Sequence, residues 1–253
     1  MNNEQKAREV FGARAAYYVT STSHTDQAVL DRVVELCRPT PDAVALDVAT
    51  GAGHTALALA PHVRQVIATD ITPEMLDLGR TLQTERGITN VEFKLASVDD
   101  LPFADGSFDI VTCRRAAHHF ADIHHALAEM RRVLKPGGRL VIDDRSVPED
   151  DFVDATMNRL DVLHDESHVR EYRPSEWERM LSEAGFQIEA VETYTRHRPL
   201  SSLTDNVSPE NTALIHEIIS SLDAGQRRAM NVVDKDGETY INHWFVMLLA
   251  LKC

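Results

Sequence analysis

The chain has 253 residues, of which 43% are hydrophobic and 26% are charged. This composition is close to the average for folded proteins and excludes a disordered, collagen-like or coiled-coil chain. Lys and Arg total 26 against 40 Asp and Glu, a net charge of −14 that disfavours broad nucleic-acid binding and favours a small-molecule partner.

The cysteines and the hydropathy pattern bear on the cellular compartment. Cys37, Cys113 and Cys253 have no CxxC spacing, so neither a disulfide framework nor a cysteine zinc site is predicted. The first residues are charged where a signal peptide needs an apolar core, and no run reaches the ~18 apolar residues of a membrane span. We therefore expect a cytoplasmic protein, either a monomer or a homodimer.

Residues 43–147 alternate short apolar runs with amphipathic segments, which is typical of βαβ units around a parallel sheet. Residues 1–42 before them are predicted to form a helical flap. Strands are predicted at 43–49, 65–70, 91–95, 108–113 and 139–144, and helices at about 53–61, 73–86 and 122–134. A turn is expected at 135–138, because Pro136 cannot continue a helix and Gly137 and Gly138 can turn the chain.

The remaining residues are predicted to finish the same sheet. We expect a helix and a loop in 146–173, a helix at 174–184, a strand at 186–194, polar helices in 201–237 and a last strand at 240–252. The sequence therefore predicts one α/β domain over 1–253. It has a Rossmann-like, seven-stranded, mostly parallel sheet with an antiparallel last strand, helices on both faces, and covering insertions at 146–173 and 201–237.

The first predicted strand opens into a glycine turn, Thr50-Gly51-Ala52-Gly53, and then into a helix. Glycines there let a flat ligand lie against the main chain, at the strand end where open α/β sheets bind ligands. The second strand ends in Asp70, 17 residues beyond Gly53, where a carboxylate can accept hydrogen bonds from ribose hydroxyls. The spacing also satisfies the dinucleotide pattern, so the turn alone leaves NAD and a purely structural role open.

Four ordered motifs over about residues 44–145 resemble those of the class I S-adenosylmethionine-dependent methyltransferases. They are Leu46-Asp47-Val48-Ala49-Thr50-Gly51-Ala52-Gly53, then Asp70 with Ile71, Thr72 and Met75, then Leu101-Pro102-Phe103 with Ser107-Phe108-Asp109, and finally Val133-Leu134-Lys135-Pro136-Gly137-Gly138-Arg139-Leu140. Within that family, the third motif and Phe11-x-x-x-Ala15-x-x-Tyr18 resemble the ubiquinone/menaquinone C-methyltransferase branch.

The resemblance implies S-adenosylmethionine as cofactor, S-adenosylhomocysteine as product, and a set of cofactor-binding residues. These are Asp47, Ala49, Thr50, Gly51, Gly53, Asp70, Ile71, Met75, Ser97, Val98, Arg114 and Tyr18. The sequence departs from the family at three places. Ala49 replaces the first glycine of the loop, Ser97 stands where an adenine-contacting Asp is usual, and Ala116-Ala117-His118-His119 replaces the Arg-Asn pair of the quinone branch.

His118 and His119 follow the fourth strand, beside the expected methionine end of the cofactor. A histidine there can take a proton from an acceptor near neutral pH, so both are candidate catalytic residues, with His119 first. The alternative is that one packs against the cofactor and the other caps or solvates the next helix. We predict no metal site at His118, His119, His124 and His125, because adjacent side chains point apart and the later pair lies on another face.

Charged residues end the fourth and fifth strands and continue into the covering loop. Arg115, Arg145, His168 and Arg170 are candidate substrate contacts, and with Arg114 they would make the pocket locally basic and suited to an anionic acceptor. The alternative for Arg114 and Arg115 is pairing with Asp143 or Asp144 to hold the strand ends together.

The leading functional hypothesis is a methyltransferase that acts on a small molecule by in-line transfer to an O, C or N acceptor. The alternatives are an NAD-dependent oxidoreductase and a regulatory protein that binds the cofactor without catalysis.

Overall fold

The computed structural model describes residues 3–20 and 25–253, with side chains for all of these except 3 and 13–20. Its α-helices are α1 (Asn3–Thr20), α2 (Gln27–Cys37), α3 (His54–Leu59), α4 (Pro73–Glu85), α5 (Ile123–Val133), α6 (Asp151–His164), α7 (Pro174–Glu183), α8 (Ser201–Thr204), α9 (Pro209–Ser220) and α10 (Ala224–Ala229). Its strands are β1 (Val44–Val48), β2 (Gln65–Asp70), β3 (Val91–Leu95), β4 (Phe108–Arg114), β5 (Leu134–Ser146), β6 (Phe186–Pro199), β7 (Val233–Lys235) and β8 (Glu238–Lys252). Short 3-10 turns lie at Ala60–His62 and Ala117–His119.

The described strands form one eight-stranded sheet, in which seven follow the order β3-β2-β1-β4-β5-β8-β6 and the short β7 pairs with β8 outside this order. β1 to β5 pair in parallel, whereas β8 runs antiparallel to both β5 and β6. The predicted mostly parallel sheet with an antiparallel last strand is confirmed. Both faces are covered by helices, because α5 and α7 pack on one buried apolar cluster and α2, α3 and α4 pack on the other.

The prediction of polar helices in 201–237 is confirmed at α8, α9 and α10 but is wrong at β7, which pairs with β8. Asp236 and Gly237 join the two strands, and both have positive φ, 54° and 82°. A two-residue Asp-Gly loop with positive φ at both positions matches the right-handed twist of a hairpin. This local signal outweighs the polar, helical character of the preceding residues.

The turn predicted at 135–138 lies within β5, where it forms a bulge. Leu134 pairs with Phe108 and Arg139 with Ile110, so the register shifts between them. A Cβ on Gly138 would lie 2.9 Å from the carbonyl oxygen of Lys135, a contact that only glycine avoids. The strand therefore begins five residues before the predicted start at 139.

A third apolar cluster joins the helices after β5 to the sheet. Met157 and Leu160 on α6, Ile215 on α9 and Ile241 on β8 are all buried in it. The loop after α6 returns to the end of β5, where Ser146 bridges to Tyr172. This places residues 165–172 at the carboxyl edge of the sheet.

Within the described part of the chain, none of the helices combines the length and the apolar character needed to cross a membrane.

Candidate active site

A cavity of about 1090 Å³, counting the space open to solvent, lies at the carboxyl edge of the sheet. The strand order reverses direction between β1 and β4, and crevices at such a reversal are the usual ligand sites of open α/β sheets. The walls come from the ends of β1, β2 and β4, from the segment after β3, and from α1.

The loop after β1 contributes Ala49, Thr50 and Gly51 to the cavity wall. Gly51 has a φ of 54°, and a Cβ built on it meets nothing within 4 Å, so its backbone faces open space. Gly53, which was also predicted to bind cofactor, is not among the described lining residues. A Cβ on Gly53 would lie 2.7 Å from the Phe93 ring, so this glycine allows the loop to pack on the sheet.

Ala49 occupies the left-handed region, with a φ of 51°. That conformation costs a non-glycine residue about 1 to 2 kcal/mol, which gives a physical reason for the family's glycine at this position. Glycine has more backbone entropy in the unfolded chain, and this offsets part of the strain that the substitution relieves. We therefore expect Ala49→Gly to raise the free energy of unfolding by about 0.5 to 1 kcal/mol in urea titrations.

Ala52→Gly is the matched control for Ala49→Gly, because Ala52 is in the same loop, is buried and lacks a positive φ. We expect this variant to be less stable than the wild type. Equal losses of stability in the two variants would show that Ala49 is not strained.

The carboxylate of Asp70 lies at the cavity with both oxygens engaged by the main chain. Its Oδ2 accepts from the Gly51 amide at 2.8 Å and its Oδ1 from the Thr72 amide at 2.9 Å. An ionised carboxylate has about four lone-pair sites, so it can accept from ligand hydroxyls as well as from the main chain. Four further predicted cofactor residues line the cavity, namely Ile71, Met75, Ser97 and Val98.

Asp47 and Arg114 form the buried floor of the cavity. Asp47 accepts hydrogen bonds from the hydroxyl of Thr112 at 2.6 Å and from that of Thr50. Burial raises the pKa of Asp47 to about 6, against the lowering effect of those hydrogen bonds. The Nε of Arg114 donates to the Thr55 hydroxyl at 2.8 Å, and burial lowers the pKa of Arg114.

The two candidate catalytic histidines have different surroundings. His119 lines the cavity, and its Nδ1 lies 3.1 Å from the hydroxyl of Ser167. The ring of Phe11 on α1 meets it edge to face at 5.0 Å. His119 is therefore the histidine of this pair that lines the cavity.

His118 is buried and is not among the described lining residues. Its Nδ1 lies 2.5 Å from Asp144, its amide donates to Asp144 at 3.0 Å, and its carbonyl accepts from two amides of the covering loop. Burial lowers the pKa of His118 well below its usual range. These contacts give His118 a structural position, bound to the end of β5 and to the covering loop. It does not cap or solvate α5, as the alternative predicted for one of the two histidines, and the side chain of Asp122 caps that helix instead.

Arg115 also lines the cavity, and its guanidinium is held by the fold. Its Nε lies 3.1 Å from Asp143, its Nη2 donates to the Tyr194 hydroxyl at 2.8 Å, and it stacks 3.8 Å from the Phe245 ring centre. Arg114 lies 4.0 Å from the same Asp143. The pairing of both arginines with Asp143 was the alternative to substrate binding.

The other three candidate substrate residues are not among the described cavity lining. Arg145 pairs with Asp161 at 2.7 Å and with Glu171. His168 contacts Asn158 at 3.1 Å, and burial lowers its pKa to about 4. Arg170 pairs with Asp154 and Glu176 at 3.1 and 3.0 Å. Carboxylates pair with both of these arginines. The contacts therefore do not form the locally basic pocket that the sequence predicts.

Some lining residues were not predicted to bind, and one prediction lies outside the described residues. Phe11, His54, Thr55, Asp99 and Phe120 all line the cavity. Phe11 belongs to the N-terminal motif, and Asp99 lies two residues before the Leu-Pro-Phe motif. The sequence motifs could therefore have identified both as lining residues. The side chain of Tyr18 is not described. Among the residues whose side chains the structure describes, no three His, Cys, Asp or Glu side chains are grouped to hold a metal ion.

The donor set of this cavity fits S-adenosylmethionine. The Asp70 carboxylate suits the two ribose hydroxyls, and the apolar side chains of Ile71, Met75 and Val98 suit a flat adenine ring. The bare backbone at Gly51 leaves room for the ligand beside the loop. The buried Arg114 suits a carboxylate such as that of the methionine part.

Comparison with known proteins identifies the same region as a methyltransferase domain, whose family model matches residues 46–142. The uncharacterized methyltransferase YcgJ of Bacillus subtilis is 48% identical over 137 residues, 54% of this chain and 54% of its own. The uncharacterized protein YafE of Escherichia coli is 36% identical over 56% of this chain and 68% of its own. A ubiquinone/menaquinone C-methyltransferase of Geobacter is 40% identical over 41% of this chain and 46% of its own. The sequence match thus spans 54%, 68% and 46% of the length of these three curated relatives.

Two solved structures extend the similarity to nearly the whole fold. The crystal structure of Bacillus subtilis YcgJ has a TM-score of 0.84 at 31% identity, covering 89% of this chain and 98% of that one. A putative methyltransferase from Bacillus halodurans has a TM-score of 0.85 at 34% identity, covering 88% and 98%. The strand order, the cavity and these matches agree, and the chain belongs to the class I S-adenosylmethionine-dependent methyltransferases.

Proposed function

We propose that this protein methylates a small molecule that gives up a proton to His119, either from a hydroxyl group or from a carbon activated by one. The observation that carries the proposal is the position of His119 in the wall of the same cavity as Asp70 and the loop after β1. S-adenosylmethionine, when bound, supplies a methyl group on a positively charged sulfur. A base is useful only where the acceptor carries a proton, and histidine is suited to this near neutral pH.

The remaining cavity residues would bind and orient the cofactor and the acceptor, and they would exclude water from the reacting groups. Asp70 and Arg114 would hold the two polar ends of the cofactor, and Asp47 keeps the loop after β1 in place through Thr50. Phe11 and Phe120 form apolar walls close to His119. Dry walls around the reacting groups strengthen their electrostatic interactions and fix their approach.

The walls near His119 favour a flat, conjugated acceptor. The apolar residues that line the cavity with His119 include Ala7, Phe11, Ala116, Phe120 and Ala121, and Arg115 lines the same cavity. Because Asp143 offsets the charge of Arg115, a neutral phenol, enol or hydroquinone suits this space better than a strong anion. The name of the Geobacter relative, a ubiquinone/menaquinone C-methyltransferase, supports the same acceptor class.

Among the four predicted substrate residues, we assign acceptor contact to Arg115 alone. The loop at 165–172 would border the acceptor end of the cavity, because the amides of Val169 and Arg170 donate to the His118 carbonyl at 2.9 and 3.1 Å.

The experiment is transfer of an isotope-labelled methyl group from S-adenosylmethionine to panels of probe acceptors. One panel holds phenols, catechols and hydroquinones, and the other holds amines and short oligonucleotides. We expect labelled product and S-adenosylhomocysteine with the first panel. Label found only on amines or oligonucleotides would contradict the proposal.

A further inference from the structure

Ser167 connects the cavity histidine to a buried carboxylate. Its hydroxyl lies 3.1 Å from Nδ1 of His119 and donates to Oδ1 of Asp165 at 2.6 Å. The amide of Ser167 donates to the same oxygen at 2.8 Å. Ser167 is fully buried, and Asp165 is 8% exposed. The three residues therefore form a chain of hydrogen bonds, named here the Asp165–Ser167–His119 chain.

The protons of this chain have one consistent arrangement. Burial alone would raise the pKa of Asp165, but nearby His119 and the hydrogen bonds from Ser167 outweigh it, so the pKa lies below its usual value. An ionised Asp165 has no proton to donate, and the single hydroxyl proton of Ser167 is directed to it. In its contact with Nδ1 of His119, the Ser167 oxygen is then the acceptor.

This arrangement decides which nitrogen of neutral His119 holds the proton. If Nδ1 donates to Ser167, then Nε2 has the lone pair, since a neutral imidazole carries one proton. The Asp165–Ser167–His119 chain requires that the loop after α6 is held in place. Main-chain hydrogen bonds hold this loop beside His119, because the amides of Val169 and Arg170 donate to the carbonyl of His118.

We propose that Ser167 and Asp165 are positioning residues that hold His119 in the tautomer with a proton on Nδ1 and a basic Nε2. The tautomer follows from the contacts alone, whereas its use as a catalytic base rests on the function proposed above. In a catalytic triad, a carboxylate fixes the tautomer of a histidine by a direct hydrogen bond. In this protein the same principle would act through a serine hydroxyl between the carboxylate and the histidine.

The test is long-range ¹H–¹⁵N correlation spectroscopy of histidine-labelled protein with S-adenosylhomocysteine bound, at a pH where the same spectra show His119 to be neutral. His119→Asn assigns the signals. In the wild type we expect Nδ1 of His119 to be protonated and Nε2 to be unprotonated. The opposite tautomer in the wild type would overturn the proposal without any further variant.

Ser167→Ala and Asp165→Ala should reduce the tautomer ratio by about 3- to 10-fold, the equivalent of one lost hydrogen bond. Asp165→Asn should retain the wild-type ratio, because its amide oxygen can accept from both donors of Ser167. His118, held separately by Asp144, is the internal control and should keep its signals in all variants. An unchanged His119 ratio in both alanine variants would contradict the proposal.

Activity separates this inference from the proposed function. With a phenolic probe that the wild type methylates, Ser167→Ala should lower kcat by a similar factor while leaving KM for S-adenosylmethionine unchanged. If the tautomer depends on Ser167 but His119→Ala methylates normally, the positioning role stands and the catalytic role falls. If His119→Ala is inactive but the tautomer ratio does not change in Ser167→Ala, the catalytic role of His119 stands and the positioning role of Ser167 falls.

Discussion

Asp70→Ala is expected to weaken S-adenosylmethionine binding by about 100-fold or more. Two ribose hydrogen bonds to a carboxylate are lost, each contributing about 1.5 kcal/mol or more, and about 1.4 kcal/mol corresponds to a factor of ten. The Gly51 amide also loses its acceptor at 2.8 Å, so the loop after β1 loses a restraint. Isothermal titration calorimetry with S-adenosylmethionine and S-adenosylhomocysteine measures both affinities.

Asp77→Ala is the matched control, because Asp77 is an exposed carboxylate on α4 that pairs only with nearby Arg80 among its described ion pairs. Its variant should bind like the wild type. Asp70→Asn, which keeps the shape and one acceptor oxygen, should fall between the wild type and Asp70→Ala. Wild-type affinity in Asp70→Ala would remove this residue from the cofactor site.

His119→Ala is expected to lower kcat about 100- to 10,000-fold with an acceptor that must lose a proton, the range typical of a lost general base. Cofactor affinity should change little, because Asp70 and the loop after β1 carry that binding in this account. Steady-state kinetics with a phenolic probe gives kcat, and calorimetry gives the affinity for S-adenosylhomocysteine.

His124→Ala controls for the loss of a histidine near the same strand end, since His124 is exposed on α5. It should keep wild-type kcat. A His119→Ala variant with wild-type kcat would show that the acceptor needs no base at this position. A loss of cofactor affinity instead of kcat would make His119 a binding residue.

The cofactor half of the site could be predicted from the sequence because its residues follow directly from strand ends. Once β1, β2 and β4 are parallel neighbours, the positions of Gly51, Asp70 and Arg114 at one edge are fixed by the pleat and the register. Ala49 was recognised as a departure from the family, and its positive φ supplies the physical reason.

The acceptor half depends on contacts that no local pattern encodes. Ser167 meets His119 across 48 residues of sequence, through a loop without periodicity. The sequence predicts substrate contact for Arg145 and Arg170, because their positions near strand ends do not reveal the carboxylates that pair with them. Asp161 and Asp154, both on α6, pair with them in the structure, and only the packing of that helix against the sheet end brings those carboxylates close.

The net charge of the whole chain does not predict the charge of the site. The net charge of −14 is consistent with a small-molecule partner, yet it does not show that the arginines near the site are paired. Asp143 lies 4.0 Å from Arg114 and 3.1 Å from Arg115. The acidic residues thus offset the cations next to the cavity, and this favours a neutral acceptor over the anionic one that the sequence suggested.

The most direct test of this account is a crystal structure with S-adenosylhomocysteine bound. We expect both ribose hydroxyls within about 3.2 Å of the Asp70 carboxylate. We also expect the sulfur to face the part of the cavity walled by His119 and Phe120. A ribose bound away from Asp70, or a sulfur facing away from His119, would contradict the proposed site and the role of its histidine.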